Sequence, residues 1–450
     1  MNWPGLSGAI AWVENLIVLV NRLSVLYKLA VGLVFWVCFP FLLALVLITG
    51  RHRRGLFQRL GFYRLRRTPG GGRRIWIHAA SIGEVRAAGM LIDELRRDLP
   101  DSRMVVTTMT IHGRAFARSH LDAEIDCFLA PLDVPLIAGR VASVLAPDVY
   151  ICLETELWPL LIGELKNRGV ASFLLNGRLS PRSIKRYRRL RLLFKEVIRS
   201  FQHIGAISEE DRQRFVEIGA EPGSVTVVGN IKDDFVLPED LAAIKKRWSD
   251  LLALNENTDV MVVGSTHSPE EKLLLPVFSR LTSHAKQLWL IAPRHLDRLQ
   301  EIEALLQANK IDYDLLSRLI SGAARRQALV LVDTIGDLAE LYSIATFVFI
   351  GGSLMGYGGH NLMEAAIWEK PVFFGPDMDD FKEGARLLEQ AGGGFRIADA
   401  EELEQLLIMF SDDRQRLRQA GLEAGRVARS LHGAGRRQAQ MVLRGLNELS

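Results

Sequence analysis

Residues Gly351 to Glu364 read GGSLMGYGGHNLME and come directly after the apolar run Thr346 to Ile350. A strand that ends in glycines and gives way to a helix is the kind of turn at which open α/β sheets hold ligands. Glycines let backbone N–H groups approach an anion closely, Asn361 can cap a helix whose N-terminus attracts phosphate, and Glu364 sits one turn on. This suits a nucleotide, with phosphate on the amides and ribose hydroxyls on the carboxylate. Tight turns that hold nothing share the pattern, so the neighbouring strands have to decide.

Working outward, VMVVG (Val260 to Gly264) runs into Ser265-Thr266-His267, and LWLIA (Leu288 to Ala292) runs into Pro293-Arg294-His295. The segment Thr334 to Tyr342, TIGDLAELY, adds a further strand-to-helix turn with Asp337 near the helix start. Strand ends that each deliver a small or cationic polar group to one sheet edge favour the ligand-binding reading. Asp377-Met378-Asp379 matches the D-x-D that holds a divalent ion in other proteins. Here it comes after a Gly-Pro turn and precedes a helix, so helix capping is expected and no metal.

The first half has the same rhythm. RIWIHAAS (Arg74 to Ser81) is a strand that ends in SIGEV, which places Glu84 at a strand's carboxyl end and a helix's first turn. A glutamate there is either a reactive carboxylate or a complement to the helix dipole. Strands are also expected over Met104 to Thr110, Asp148 to Glu154, Ala171 to Leu175 and His203 to Ile207, with helices between them, which implies parallel, doubly wound sheets. ETELWP (Glu154 to Pro159) again lies just past a strand. Glu154 and Glu156 suit acid/base or charge-stabilising work, or N-terminal capping with Pro159 in the first helical turn. Asn176 to Arg191, NGRLSPRSIKRYRRLR, is a basic helix. It is either a solvated face or a surface for anionic lipid or substrate. Only Tyr187 offers an aromatic platform, which argues against nucleic acid.

A chain of 450 residues is too long for one ordinary core, so two domains and an appended segment are expected. The net charge is +4, and the three cysteines (Cys38, Cys127, Cys152) have neither close pairing nor a zinc spacing, which argues against a disulfide framework or structural metal. Leu29 to Ile48 is charge-free and of a length that can cross about 30 Å of hydrocarbon. The arginines from Arg51 onward place the remainder of the chain in the cytoplasm. The length of the run and the lack of a small-residue cleavage site weigh against a signal peptide, while Pro40 allows a kinked, monotopic anchor as well as a span. Residues Gly5 to Tyr27 suit an interfacial helix or a second, poor span. The expected organisation is a membrane anchor over 1–50, one domain over 51–238 and another over 239–450.

Taken in order, WIHAASIGEV, TTMT, ETELWP, NGRLSPRS, GNIK, GSTH, APRH, IGDLAELY and GGHNLMEAA…KPVFFGP resemble the 3-deoxy-D-manno-octulosonic acid (Kdo) transferases from about Arg51 to the C-terminus. The resemblance implies two Rossmann-like domains facing across a cleft, the GT-B glycosyltransferase architecture, with an N-terminal membrane helix. It implies inverting transfer of Kdo from CMP-Kdo to the lipid A precursor at the cytoplasmic face of the bacterial inner membrane, without a cofactor. Carried over by motif, Glu84 would be the general base, with Glu154 and Lys232 stabilising the transition state. CMP would lie against Pro293, Arg294, Ile335, Gly336, Asp337, Asn361, Leu362, Met363 and Glu364. Glu156, Arg178, Arg182, Lys185 and Arg186 are candidate contacts for acceptor or lipid. The chain departs from the family pattern on the donor side, with GNIKDD for GNLKFD, HNLMEAA for HNPLEPA and Asp337 for glutamate. Two other readings remain at this stage: a GT-B transferase using a nucleotide-diphosphate sugar, of the lipid-disaccharide synthase or heptosyltransferase type, and a non-catalytic membrane protein that binds sugar nucleotides.

Overall fold

The computed structural model describes residues 27, 29–41, 44, 48, 55–66, 72–234, 240–255, 258–282 and 287–448, apart from the side chains of residues 181, 182 and 193. The chain divides into two compact units, Met1–Ile231 together with Gly433–Ser450, and Lys232–His432.

In the first unit the strands are β1 Arg74–His78, β2 Arg103–Thr108, β3 Asp126–Leu129, β4 Val149–Leu153, β5 Ala171–Gly177, β6 His203–Ala206 and β7 Val225–Val227. They pair in the order β3-β2-β1-β4-β5-β6-β7, and every pairing is parallel. A parallel sheet is covered on both faces, which is why these strands read as continuous apolar runs. Successive side chains alternate faces: Trp76, Tyr150, Cys152 and Leu174 join one core, while Ile75, Ile77, Ile151, Phe173 and Leu175 join the other. Chain order reverses between β1 and β4, and there the sheet opens a crevice at its carboxyl edge. Glu84 and Glu154 stand just beyond those two strands.

The second unit contains β8 Asp259–Thr266, β9 Gln287–Pro293, β10 Asp314–Leu315, β11 Leu329–Leu331, β12 Phe347–Ile350, β13 Val372–Phe374 and β14 Gly394–Arg396. Their order is β10-β11-β9-β8-β12-β13-β14, again all parallel, with the reversal between β8 and β12. Phe347, Phe349 and Phe373 face one core and Val348, Ile350 and Phe374 the other.

Two boundaries differ from expectation. The units divide at Ile231/Lys232 rather than at 238/239, and the last helix, Ala434–Asn447, belongs to the first unit instead of the second. Ala439, Val442 and Leu446 complete the core formed by Ile75, Ile77 and Phe173. Buried Gln438 accepts from Asn176 N at 2.8 Å and donates to Gly229 O at 2.9 Å. A Cβ at Gly445 would stand 2.6 Å from the Phe173 ring, so only glycine lets this helix seat. Helical periodicity shows that a helix has an apolar face but not which sheet covers it. The strands β3, β7, β10, β13 and β14 had not been expected as strands. Each spans two to four residues, too short for periodicity to register.

The expected membrane helix, Leu29 to Ile48, lies partly outside the described residues, and among the described residues no helix is long and apolar enough to cross a membrane. Residues 29–41 are helical. Tyr27, Val31 and Phe35, spaced four apart, pack on the first unit's core, whereas Leu33, Trp36, Val37 and Phe41 are exposed.

Candidate active site

Glu84 is buried in the first turn of the helix Ile82–Asp98. Ser81 caps that helix by accepting from Glu84 N at 3.3 Å, and the Glu84 carboxylate reaches back to accept from Ala80 N at 2.7 Å. The reciprocal pair resembles a capping box displaced by one residue, since Glu84 accepts from the N–H of Ala80 and not from that of the N-cap Ser81. Glu154, at the end of β4, has a left-handed backbone with φ 59°, fixed by its N–H donating to Leu175 O at 2.9 Å. A non-glycine residue held there costs on the order of 1–3 kcal/mol, a strain that gathers at functional sites. Glu156 accepts from Trp158 Nε1 at 2.9 Å, and the Trp158 ring lies 4.9 Å from that of His78. Burial pushes the His78 imidazole down to about 4, so it is a neutral wall behind Trp158 rather than a charged group. The capping reading of ETELWP is overturned: Trp158, not either glutamate, is the N-cap residue, and Asp133 from elsewhere accepts from Leu160 N at 3.2 Å and Leu161 N at 2.7 Å.

Glu84, Glu154 and Glu156 line one cavity of ≈ 350 Å³ with Arg178, Arg186, Ser180, Ser183 and Tyr187. The polar walls come from the segment after β5, where Thr155 Oγ1 donates to Arg178 O and Asp211 accepts from Leu179 N at 2.7 Å. Ser180 caps the helix Pro181–Arg189, accepting from Ser183 N at 3.1 Å. Of the expected basic contacts, Arg178 and Arg186 line the cavity, Lys185 is exposed and not among its lining residues, and the Arg182 side chain lies outside the described residues. Ser180, Ser183 and Tyr187 had not been assigned to a site. Their signal was present, since NGRLSPRS begins at a strand end.

Lys232 lies in the 3-10 turn Ile231–Asp233 and begins the second unit. Its carbonyl accepts from Asn361 Nδ2 at 3.2 Å. Asn361 Oδ1 in turn accepts from Met363 N at 2.8 Å, but the N-cap residue of the helix Met363–Ala366 is Leu362 and not Asn361 as expected, and that helix has only four residues and little dipole. Leu362 and Met363 are buried in the core and offer a ligand only backbone. Glu364 is pushed up by burial and pulled back down by Arg294, which brings the expected ribose and phosphate groups into one electrostatic neighbourhood. Ile335 is 88% exposed, Gly336 has φ 99° with open space around it, and Asp337 precedes Leu338–Leu341 without a side-chain cap bond.

The glycine amides hold an anion, but it belongs to the chain. Glu270, fully buried, accepts from Gly352 N at 2.7 Å and His267 N at 2.9 Å through one oxygen, and from Ser353 N and Leu354 N at 3.0 Å through the other. The expectation that these amides cradle a donor phosphate is therefore corrected. Gly351 is required nonetheless: a Cβ there would stand 2.6 Å from Ser265 O. The Asp377 carboxylate is not a helix cap as expected; it accepts from Gly358 N at 2.9 Å and pins the same loop. Beside Glu270, Glu271 is buried against Arg298 at 2.9 and 3.0 Å and accepts from Thr266 Oγ1 at 2.6 Å. Arg298 is thus committed to structure, whereas Arg294 follows directly on the end of β9.

The family model described as 3-Deoxy-D-manno-octulosonic-acid transferase (kdotransferase) matches residues 54–235. A 3-deoxy-D-manno-octulosonic acid transferase of Chlamydophila psittaci is 32% identical over 373 residues, 82% of this chain and 84% of that one. Its counterpart in Haemophilus influenzae is 30% identical over 397 residues, 86% of this chain and 92% of that one. Among solved structures, the UDP-GlcNAc 2-epimerase of Neisseria meningitidis bound to UDP-GlcNAc matches with a TM-score of 0.52 and 12% identity, over 83% of this chain and 100% of that one, a likeness of fold. With ordered strand-end motifs, two parallel-sheet units and relatives of this similarity along most of its length, the chain belongs to the 3-deoxy-D-manno-octulosonic acid transferase family and is a glycosyltransferase.

Proposed function

We propose that the protein transfers Kdo from CMP-Kdo, with inversion, to a hydroxyl of the lipid A precursor in lipopolysaccharide synthesis at the cytoplasmic face of the inner membrane. The observation that carries this reading is the convergence of Glu84, Glu154 and Glu156 with Arg178 and Arg186 on one cavity. A sugar hydroxyl is a poor nucleophile at neutral pH, and Glu84 takes its proton as the new bond forms. Arg178 and Arg186 attract the anionic groups of a phosphorylated glycolipid. Glu154 and Lys232 stabilise charge in the transition state. On the donor side Arg294 faces the phosphate and Glu364 the ribose. The direct test is turnover of CMP-Kdo with a tetra-acylated lipid A precursor, alongside competition by CMP, UDP and ADP. Inhibition by UDP in preference to CMP would move the protein to the nucleotide-diphosphate class.

Arg294→Ala is expected to weaken CMP binding by roughly 1.5–3 kcal/mol, about tenfold or more, because a charge-assisted contact to phosphate is lost. Unchanged affinity in calorimetry with the fold intact removes Arg294 from the site.

Membrane association rests on the exposed face of the helix over 29–41 and on the basic segment Arg178 to Arg191. Substituting Leu33→Gln, Trp36→Gln, Val37→Gln and Phe41→Gln together spares the packed face of Tyr27, Val31 and Phe35. Binding to anionic vesicles should then change from salt-resistant to salt-sensitive, fading as screening shortens the Debye length below about 10 Å. Salt-resistant binding by the quadruple variant would place the anchor elsewhere.

A further inference from the structure

The segment Glu154 to Glu156 enters the cavity of Glu84, and each of its residues is tied to a neighbour. The Glu154 N–H donates to Leu175 O of β5, Thr155 Oγ1 donates to Arg178 O, and the Cys152 thiol in β4 donates to Glu156 O at 3.4 Å. Burial pushes that thiol well up, so it keeps its proton and remains a donor. The Glu156 side chain is fixed separately. Trp158 Nε1 donates to Glu156 Oε2 at 2.9 Å, and an indole N–H is a donor only. The other carboxylate oxygen, Oε1, is accessible and has no hydrogen-bond or ion-pair partner among the described residues. Glu156 is among the residues that line the cavity and Trp158 is not. One oxygen is held from behind, and the other is left to a ligand.

The indole is fixed in its turn. Its ring packs on that of His78, with centroids 4.9 Å apart and planes at 57°. His78, buried and neutral at the end of β1, has its Nδ1 3.0 Å from Thr107 Oγ1, which accepts from Trp76 Nε1 at 2.8 Å. Trp158 is the N-cap residue of the helix Pro159–Asn167, but its side chain makes no capping bond; Asp133 accepts from Leu160 N and Leu161 N instead. The indole therefore serves Glu156 and not the helix. A glutamate loses rotamer freedom when a ligand fixes it, and the bond from Trp158 takes that loss before any ligand arrives.

We propose that Trp158 is a positioning residue for acceptor binding, holding Glu156 so that Oε1 accepts from a second hydroxyl of the acceptor sugar, other than the one that reacts. This rests on the reading of the Glu84 cavity as the acceptor site. An ionised carboxylate only accepts, so its ligand must be a donor, and it repels the acceptor's anionic groups, which suit Arg178 and Arg186 in the same cavity. A bond to a hydroxyl that does not react is equally strong before and during the reaction. Its loss should therefore appear in KM and not in kcat.

The test is steady-state kinetics of the full-length protein with CMP-Kdo and a lipid A precursor, as a double-mutant cycle on Trp158→Phe and Glu156→Ala. Phenylalanine keeps a ring against His78 and removes the N–H. Trp158→Phe is expected to raise the acceptor KM by about threefold to tenfold, the cost of ordering one rotamer-rich side chain on binding, with kcat within about twofold. Glu156→Ala should raise it at least as much. In the Glu156→Ala background, Trp158→Phe should change KM by less than about twofold, because its effect passes through Glu156. An unchanged acceptor KM in either single variant overturns the inference. So does an equal rise from Trp158→Phe in both backgrounds, which a lost packing contact would give, or a fall in kcat with KM unchanged. If Trp158→Phe fails to fold, indole N–H resonances of the wild-type protein decide the matter. Of the eight tryptophans, the one whose N–H moves upfield in Glu156→Ala should also shift when acceptor is added to the wild-type protein. No shift overturns the inference. Absence of turnover in the wild-type protein would overturn the proposed reaction instead.

Discussion

Glu84→Gln is expected to lower turnover by at least ~100-fold while leaving CMP affinity within about threefold, because a positioned carboxylate that accepts a proton in the transition state contributes 10²- to 10⁴-fold. The geometry makes this a clean comparison. The amide oxygen of glutamine can still accept from Ala80 N, as the Glu84 carboxylate does at 2.7 Å, and Ser81 still caps the helix, so the reciprocal pair survives the change. Glutamine cannot take a proton from a hydroxyl. Glu84 belongs to the first unit and Arg294 and Glu364 to the second, so the loss should appear in kcat and not in nucleotide binding. Steady-state kinetics with CMP-Kdo and a lipid A precursor, beside CMP calorimetry, checks both halves. Near-normal turnover in Glu84→Gln with abolished turnover in Glu156→Gln would reassign the base to the residue that Trp158 holds.

Glu270→Gln should destabilise the second unit by about 3–5 kcal/mol, the consequence of stranding two buried donors at about 1–3 kcal/mol each together with the loss of charge-assisted bonds. Each Glu270 oxygen accepts from two backbone N–H groups. Whichever way the glutamine amide is turned, its nitrogen faces two donors with a donor of its own. For a unit of this size that corresponds to a fall of roughly 6–20 °C in Tm, measurable by differential scanning calorimetry of the full-length protein. The loss of order should be centred on Gly352 to Leu354, whose amides Glu270 holds. A Tm shift under about 2 °C would mean that the glycine loop holds its shape without this carboxylate.

Much of the fold was legible along the chain, because parallel strands buried on both faces announce themselves as apolar runs. Trp76, Tyr150, Val262, Leu290 and Phe349 all lie in segments that read as strands, and the polar residues just past them mark the carboxyl edges where the sites stand. Glu84, Glu154, Arg294 and Glu364 were placed past strand ends that way, since local sequence dictates the turn on which each of them lies. Edge strands of two to four residues were not legible, because their pairing is stabilised by the neighbouring strand and not by their own composition.

Partners distant along the chain were decided only by the tertiary structure. Glu270 and Gly352 are 82 residues apart, and nothing near either of them shows that one fills the other's amides. His267 and His360 lie 93 residues apart and meet because the sheet order sets β8 beside β12. The last helix announces its apolar face in its own periodicity, yet only the space left by Gly445 beside Phe173 fixes which sheet receives it. Local interactions fix turns, caps and strand ends, so the sequence by itself determined which residues point out of each sheet. Which of them touch depends on loop closure and close packing over long separations, and the folded chain alone decides that.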